Sequence, residues 1–171
     1  MSGAGGKVVK TGQAASPQLL GLTLWRLREL RAGESAADAV KVQNADQSGW
    51  HWRVPERSSF ARPVVPNDIV RLTVEAAREG YLYILNRELR RDRSLGKPVL
   101  LFPERAAVNN FVRPGEVVDV PDRLEDWPYF RIVSSDPNYA GEALWVILSP
   151  RRIDGLTDGR RRPITSLGIG S

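Results

Sequence analysis

The sequence predicts an all-β fold, mainly antiparallel, built as a β-sandwich or a partly open barrel with at most one short helix. Three observations lead to this prediction. Apolar and polar residues alternate with a period of two in several runs, which is typical of strands that are buried on one face. These runs recur about every 8–15 residues, with Pro, Gly, Asn and Asp between them. Helical periodicity is scarce, since the stretch 34–46 fits a short helix or an irregular loop equally well.

The first predicted strand covers residues 22–29. Arg26 and Arg28 share one of its faces, and the other face holds Thr23, Trp25 and Leu27. Because Trp25 lies within this regular pattern, we expect it in the core, and we expect Trp145 there for the same reason.

The clearest strand pattern lies at 69–76. One face carries only apolar side chains, those of Val70, Leu72, Val74 and Ala76. The other face carries Ile69, Arg71, Thr73 and Glu75. The pattern therefore predicts a strand with one face in the core and the other toward solvent.

A strand at 80–86 follows after a break short enough for a hairpin, in which Gly80 would supply a positive φ. Tyr81 and Tyr83 share a face with Leu85, so we expect them to pack on the core or on a sheet edge. Further strands are predicted at 98–102, 116–120, 129–134 and 142–148.

The chain divides into a central domain and two tails. Residues 1–18 form a flexible or partner-dependent tail, 19–150 the β-sandwich domain, and 151–171 a C-terminal extension. Short apolar stretches at 8–10 and 163–169 are expected to dock on an exposed sheet edge, in the same chain or in a neighbour.

An ordered set of motifs runs through the central domain. It consists of GYLY at 80–83, LLFP at 100–103, RPGEVVDVP at 113–121 and LWVILSP at 144–150. Together these motifs resemble the bacterial family described as "domain of unknown function 4384". The resemblance implies a β-rich accessory domain, often appended to protease-like or other effector modules, with no assigned activity and no accepted catalytic residues.

The sequence departs from that family pattern at three loops. Asn67-Asp68 replaces Gly-Asp, Asp92-Arg93 replaces Asp-Gly, and Val108-Asn109-Asn110 replaces Gly-Asp-Asn. These changes affect the geometry of turns rather than the fold.

Composition narrows the class of protein. A chain of 171 residues with 42% hydrophobic and 26% charged residues suits one globular domain. The absence of cysteine excludes disulfides, thiolate metal sites and cysteine nucleophiles. No apolar run is long enough to span a membrane, and the first residues lack the apolar segment of a secretory signal. The expected location is the cytoplasm for the chain as written, or outside it if the chain is a segment of a longer protein.

The only histidine, His51, would have to serve any serine-type triad or histidine-bearing metal site. On a strand it would face away from both Trp50 and Trp52. The alternative is a partly exposed histidine beside two packing aromatics, and no nucleophile motif supports catalysis. No catalytic residue, metal ligand or cofactor is predicted. Two interpretations are open for Asp92, Asp136 and Asn138: they form a calcium site, or they are loop residues that cap their own turns.

Two groups of residues are candidates for ligand or partner contact. Trp50 and Trp52 lie near turns, as does Trp127, and exposed aromatic rings provide flat stacking surfaces. The second group follows the strand at 80–86 and consists of Arg87, Arg90, Arg91 and Arg93. The net charge of +5 comes mainly from arginine, which suits anion recognition but is explained equally well by the codon bias of a GC-rich genome.

Three hypotheses for function follow. The first is a non-catalytic interaction or assembly module with a protein partner or with itself, accessory to a larger bacterial system. The second is a binding domain for an anionic polymer or an envelope glycan, through the arginine loops and the exposed tryptophans. The third is an enzyme acting through His51. Nucleic acid is not an expected partner, because aromatic residues are not interleaved with the basic runs.

Overall fold

The computed structural model describes residues 20–35, 37–105, 107–154, 156 and 167–168. These residues form eleven strands and no helix. The strands are β1 (Leu20–Glu29), β2 (Val40–Gln43), β3 (Trp50–Ser58), β4 (Ile69–Ala76), β5 (Gly80–Arg90), β6 (Val99–Phe102), β7 (Phe111–Val112), β8 (Val117–Val120), β9 (Phe130–Ile132), β10 (Tyr139–Ser149) and β11 (Leu167–Gly168). The predicted all-β fold is confirmed.

The strands form two antiparallel sheets. Sheet A has seven strands in the order β11-β9-β4-β1-β3-β2, with β8 also paired to β4. Sheet B has four strands in the order β10-β5-β6, with β7 also paired to β5. The main core lies between the sheets and includes the four predicted core residues of β4, Val70, Leu72, Val74 and Ala76.

Sheet A curls so that strands far apart in its order meet across its concave face. The backbone N–H of Gln43 on β2 donates to the Tyr129 hydroxyl at 3.1 Å, and Arg131 on β9 donates to the Gln43 carbonyl. A second apolar cluster of Leu27, Val42, Ile69 and Tyr129 fills the space inside the curl. The face of sheet A that turns away from the main core is therefore partly enclosed.

The predicted hairpin between β4 and β5 is wrong. β4 pairs with β1, β8 and β9, whereas β5 belongs to sheet B and pairs with β6, β7 and β10. The short break therefore carries the chain from one sheet to the other. An alternating pattern shows which face of a strand is buried, but it does not show which strands are its neighbours.

The stretch 34–46, considered as a helix or a loop, contains β2 instead. β3 was not among the predicted strands either. Pro55 pairs with Leu27 of β1, while the pairing of β2 with β3 extends only to Arg53. The other side of Pro55 thus needs no ladder hydrogen bond, which is where a strand tolerates proline.

The alternating pattern predicted the wrong environment for two arginines and one tryptophan. Arg26 and Arg71 were assigned to polar faces, but both are buried. Arg26 lies on the face of the main core, and Arg71 lies inside the curl of sheet A, opposite Trp25 on β1. Trp145, expected in the core, is 37% exposed on the outer face of sheet B, where the Arg87 guanidinium lies 5.8 Å from its ring.

Gly80 and Tyr83 make close contacts with neighbouring segments of the chain, and neither forms the turn that was predicted at Gly80. Gly80 has a φ of 159°, and a Cβ at this position would lie 2.8 Å from the Ser149 carbonyl oxygen. Glycine is therefore required by the close approach of β10. Tyr83 is fully buried on the outer face of sheet B, and its hydroxyl accepts a hydrogen bond from the backbone of Ile153 at 2.8 Å. The start of the C-terminal extension thus packs on the domain.

Two of the three loop departures keep a left-handed backbone. Asn67 has a φ of 73° and Arg93 a φ of 66°, which is the region that glycine adopts without cost. The turns therefore retain a glycine-like geometry although a side chain is present at both positions.

The predicted tail 1–18 and its apolar stretch 8–10 lie outside the described residues. Of the stretch 163–169, residues 167–168 form β11, which pairs with Ile132 and Arg131 of β9 at the border of sheet A. This agrees with the expectation that the stretch docks on a sheet edge of its own chain. No helix of the described part is long and apolar enough to cross a membrane.

An acid and an amide pair within the main core. The Asn86 side chain is fully buried and donates from Nδ2 to Glu142 Oε2 at 2.8 Å. The Tyr139 hydroxyl also interacts with the Glu142 carboxyl, but Asn86 Oδ1 and Glu142 Oε1 are buried without a hydrogen bond of ordinary geometry. Because both are acceptors, a proton on Glu142 would turn one of them into a donor. Burial raises the pKa of Glu142 to about 7.

Glu142 makes a pH-dependent contribution to stability. Between its ordinary pKa of 4.5 and its folded pKa of about 7, the folded protein binds more protons than the unfolded chain. The free energy of unfolding should therefore fall as the pH rises through this window, by about 1–2 kcal/mol, and then level off. Urea denaturation from pH 4.5 to pH 8 measures it. In Glu142→Gln this component should vanish, whereas the exposed control Glu75→Gln should retain it. An equal pH dependence in Glu142→Gln and the wild type contradicts the assignment.

Candidate binding cleft

The curled sheet A does not close along its whole length, and an open cleft of about 910 Å³ remains. One wall is residues 37–41, which are the first half of β2 and the residues before it, and the other is the connection between β8 and β9 at 123–128. Trp25 and Arg71, on neighbouring strands of the concave face, form the floor. The contacts of Gln43 with Tyr129 and Arg131 close the curl beyond the other end of β2.

Arg71 is the unusual residue of this cleft. It is 5% exposed, and its Nε and Nη2 atoms are buried without a hydrogen-bond partner. Burial lowers the pKa of Arg71, yet a guanidinium remains charged at neutral pH. An ionised group that is buried without hydrogen bonds costs several kcal/mol. The Nε and Nη2 atoms also form the edge of the guanidinium that binds a carboxylate with two parallel hydrogen bonds.

The nearest acid to Arg71 is occupied by other partners. Asp119 Oδ1 lies 3.7 Å from Arg71 Nη2, beyond hydrogen-bond distance. That oxygen instead accepts from the Thr73 hydroxyl at 2.8 Å, and Thr73 in turn accepts from Trp25 Nε1 at 2.8 Å. Asp119 Oδ2 accepts from Arg123 Nε at 2.5 Å. Asp119 therefore holds the floor of the cleft in place and leaves the Arg71 donors unused.

Aromatic side chains and a lysine form one end of the cleft. Trp50 stacks on Trp127, with ring centroids 4.9 Å apart and planes inclined by 17°. The Lys41 ammonium lies 5.2 Å from the centroid of the Trp50 ring. Among the described residues Lys41 makes no ion pair. This end thus combines a flat apolar surface with a cation that has no carboxylate partner.

The rim of the cleft contains both paired and unpaired charges. Arg28 binds Glu34 through two hydrogen bonds of 2.7 Å, which holds the pKa of Glu34 at about 2. Glu125 pairs with Arg105 at 2.7 Å. Asp38 and Asp126 have no cationic partner in the part of the chain that the structure describes. The cleft therefore has Arg71 with unused Nε and Nη2 donors on its floor, and two acids without a cationic partner in the described residues at its rim.

Of the predicted contact residues, only Trp50 lines this cleft. Trp52 is 55% exposed and lines a shallower concavity together with His51 and Leu30. The exposed aromatic surface expected around Trp50 is thus shared between two neighbouring sites. Trp127, which was weighed with them, stacks on Trp50, and Trp25, expected in the core, is only half-buried and lies on the cleft floor.

The four predicted arginines lie on β5 and the turn that follows it, in sheet B. Arg87 donates to the Gly96 and Leu95 carbonyls, and Arg90 pairs with Asp136 at 2.7 Å, which raises the pKa of Arg90. Arg91 and Arg93 are exposed. These arginines share no hydrogen bond, ion pair or ring contact with Trp50 or Trp52 in the described residues. The two predicted groups therefore do not form one site.

His51 is held by an amide and a guanidinium. Arg53 Nε donates to His51 Nε2 at 2.6 Å, so His51 Nδ1 carries the proton and donates to Asn44 Oδ1 at 2.5 Å. Burial and the charge of Arg53 lower the pKa of His51. Neither ring nitrogen faces a serine or a carboxylate, so this arrangement does not provide the general base of a triad.

The residues weighed for calcium bind neighbouring backbone and side chains. Asp92 accepts from the backbone of Ser94 at 2.9 Å, and Asp136 accepts from Arg90 and from the backbone of Asn138. Their pKa values are lowered by these hydrogen bonds. Within the described ranges no group of three or more metal-binding side chains is found.

Sequence reasoning missed Arg71, Lys41 and Asp119 as site residues. Arg71 carried the only local signal, a charged residue within the strongest strand pattern, but that pattern placed it toward solvent. Asp119 lies 48 positions after Arg71 in the sequence, and the two residues come close only because β8 pairs with β4.

No protein-family model, curated protein or solved structure matches this chain.

Proposed function

We propose that this chain is a non-catalytic binding domain, accessory to a larger bacterial system, and that its cleft in sheet A receives a carboxylate carried by a protein partner. The observation that supports the proposal is the buried Arg71, whose Nε and Nη2 donors have no partner. A carboxylate satisfies both donors at once with two parallel hydrogen bonds and adds a charge opposite to that of the guanidinium.

A comparison within the same sheet argues against a purely structural role for Arg71. Arg26, on the neighbouring strand, is also buried, but it donates to Ser58, to Asp68 and to two backbone carbonyls. A buried arginine that serves the fold is thus fully bonded in this protein. Arg71 lacks such partners and lies on the floor of an open cleft, which favours a binding role.

Titration of the ¹⁵N-labelled domain with succinate tests this proposal. We expect saturable chemical-shift changes at the backbone amides of Trp25, Arg71 and Asp119, at constant ionic strength maintained with sodium chloride. In Arg71→Gln the apparent affinity should fall at least tenfold, because both donors of the fork are lost. Arg78→Gln is the matched control, since Arg78 is exposed in the connection between β4 and β5.

The control should bind succinate as the wild type does. Equal affinity in Arg71→Gln and the wild type contradicts the proposal. So does an absence of saturable shifts around the cleft floor in the wild type.

A further inference from the structure

Resting on that proposed function, we infer that the ligand is an extended segment of a partner protein that adds as a strand to the open edge of β2 and places one acidic side chain on Arg71. The inference rests on three features of the cleft: the direction of the β2 backbone groups, the position of Arg71 below them, and the distribution of charge around the opening.

The backbone of β2 has one unpaired side. β2 is the last strand in the order of sheet A, and in the described residues it pairs only with β3. The N–H and C=O of Gln43 point away from β3, since they bind Tyr129 and Arg131. Because backbone groups alternate sides along a strand, Lys41 presents its N–H and C=O in the same direction. These groups therefore face the cleft, whose wall is residues 37–41.

A strand laid along this edge would extend sheet A into its own opening. Sheet edges with unpaired N–H and C=O groups are templates for such addition. Within β2 the free backbone groups on this side are the N–H and C=O of Lys41, so the edge would pair with a short segment of the ligand. Side chains of an added strand alternate between the two faces of the sheet, and those directed to the concave side would point toward Trp25 and Arg71.

The charges specify the composition of the segment. Arg71 favours one carboxylate at the centre of the ligand, and the ring of Trp50, with the Lys41 ammonium 5.2 Å from its centroid, offers a flat apolar surface at one end of the cleft. Asp38 and Asp126 at the rim favour a basic or neutral residue on either side. A uniformly anionic chain, such as a nucleic acid or polyglutamate, would meet repulsion at the rim. The inferred ligand is thus an extended peptide with one acidic residue between apolar and basic neighbours.

Selection from a phage-displayed library of random linear heptapeptides tests this inference, with the Arg71→Gln domain as the counter-selection target. We expect enriched peptides to share one Asp or Glu at a fixed position, flanked by apolar and basic residues. The best peptide is then synthesised with single N-methyl groups at successive amides, and its Kd is measured by tryptophan fluorescence. Methylation of the amides that pair with β2 should weaken binding at least tenfold, and methylation of the alternate amides less than threefold.

The outcomes separate the two proposals. If succinate and the peptides depend on Arg71 but N-methylation has no alternating effect, the strand-addition inference is wrong and the proposed function stands. If polyglutamate of equal length binds as tightly as the selected peptide, the inference is also wrong. A library without Arg71-dependent enrichment overturns it as well. If neither probe depends on Arg71, both proposals fall.

Discussion

Replacing Arg26 with methionine is expected to lower the free energy of unfolding by about 3–5 kcal/mol. The Arg26 guanidinium joins β1 to the connection between β3 and β4. It donates to Ser58 Oγ at 2.9 Å, to the carbonyls of Arg62 and Pro63 at 2.9 and 2.8 Å, and to the Asp68 carboxylate. Methionine would fill part of the volume but would leave these acceptors without a donor and Asp68 without its counter-ion.

Urea denaturation of Arg26→Met against the wild type measures this loss. The matched control is Arg57→Met, at an exposed position of β3 with no side-chain partner in the described residues, where we expect a change within about 0.5 kcal/mol. A loss of less than about 1 kcal/mol in Arg26→Met would show that the network does not hold the connection to sheet A.

The same substitution at Arg71 is expected to have the opposite sign. Arg71→Met should raise the free energy of unfolding by about 1–3 kcal/mol, because it removes a buried charge that makes no hydrogen bond. Asp119 would keep its hydrogen bonds with Thr73 and Arg123, so the neighbouring acid is not left alone. The wild type would thus be less stable than Arg71→Met, because it keeps a buried charge that serves ligand binding.

Urea denaturation of Arg71→Met and of the wild type at the same pH shows whether the free energy of unfolding rises or falls. The exposed Arg78→Met serves as the control for a change of net charge. A loss of stability of more than about 1 kcal/mol in Arg71→Met would assign Arg71 a structural role and remove the main support for the binding proposal. The opposite signs at Arg26 and Arg71 would distinguish an arginine that serves the fold from one that serves a ligand.

The fold class could be predicted because burial on one face leaves a local pattern. Leu72 and Val74 alternate with polar residues, and this alternation fixed which face of β4 meets the main core. The partners of β4 leave no such pattern. Its hydrogen bonds go to β1, β8 and β9, and a break of three residues fits a crossing between sheets as well as a hairpin.

The cleft could not be predicted because it depends on contacts between distant residues. Arg71 is buried since sheet A curls, and the curl is fixed where Gln43 meets Tyr129 and Arg131, more than 80 positions later in the chain. Likewise, Arg90 resembled a free cation in the sequence, but Asp136 neutralises it from 46 positions away. Of the predicted contact residues only Trp50 lines the cleft, and its exposure follows from its place after a turn.

The central claim is that the Arg71 guanidinium binds a carboxylate in the cleft. The most direct measurement is the Arg71 Nε–H resonance in a ¹H–¹⁵N spectrum, assigned by its loss in Arg71→Gln and followed during titration with succinate. We predict a saturable downfield shift of this proton, because Nε gains a charged acceptor. A resonance that does not move while succinate binds elsewhere on the domain would contradict the claim.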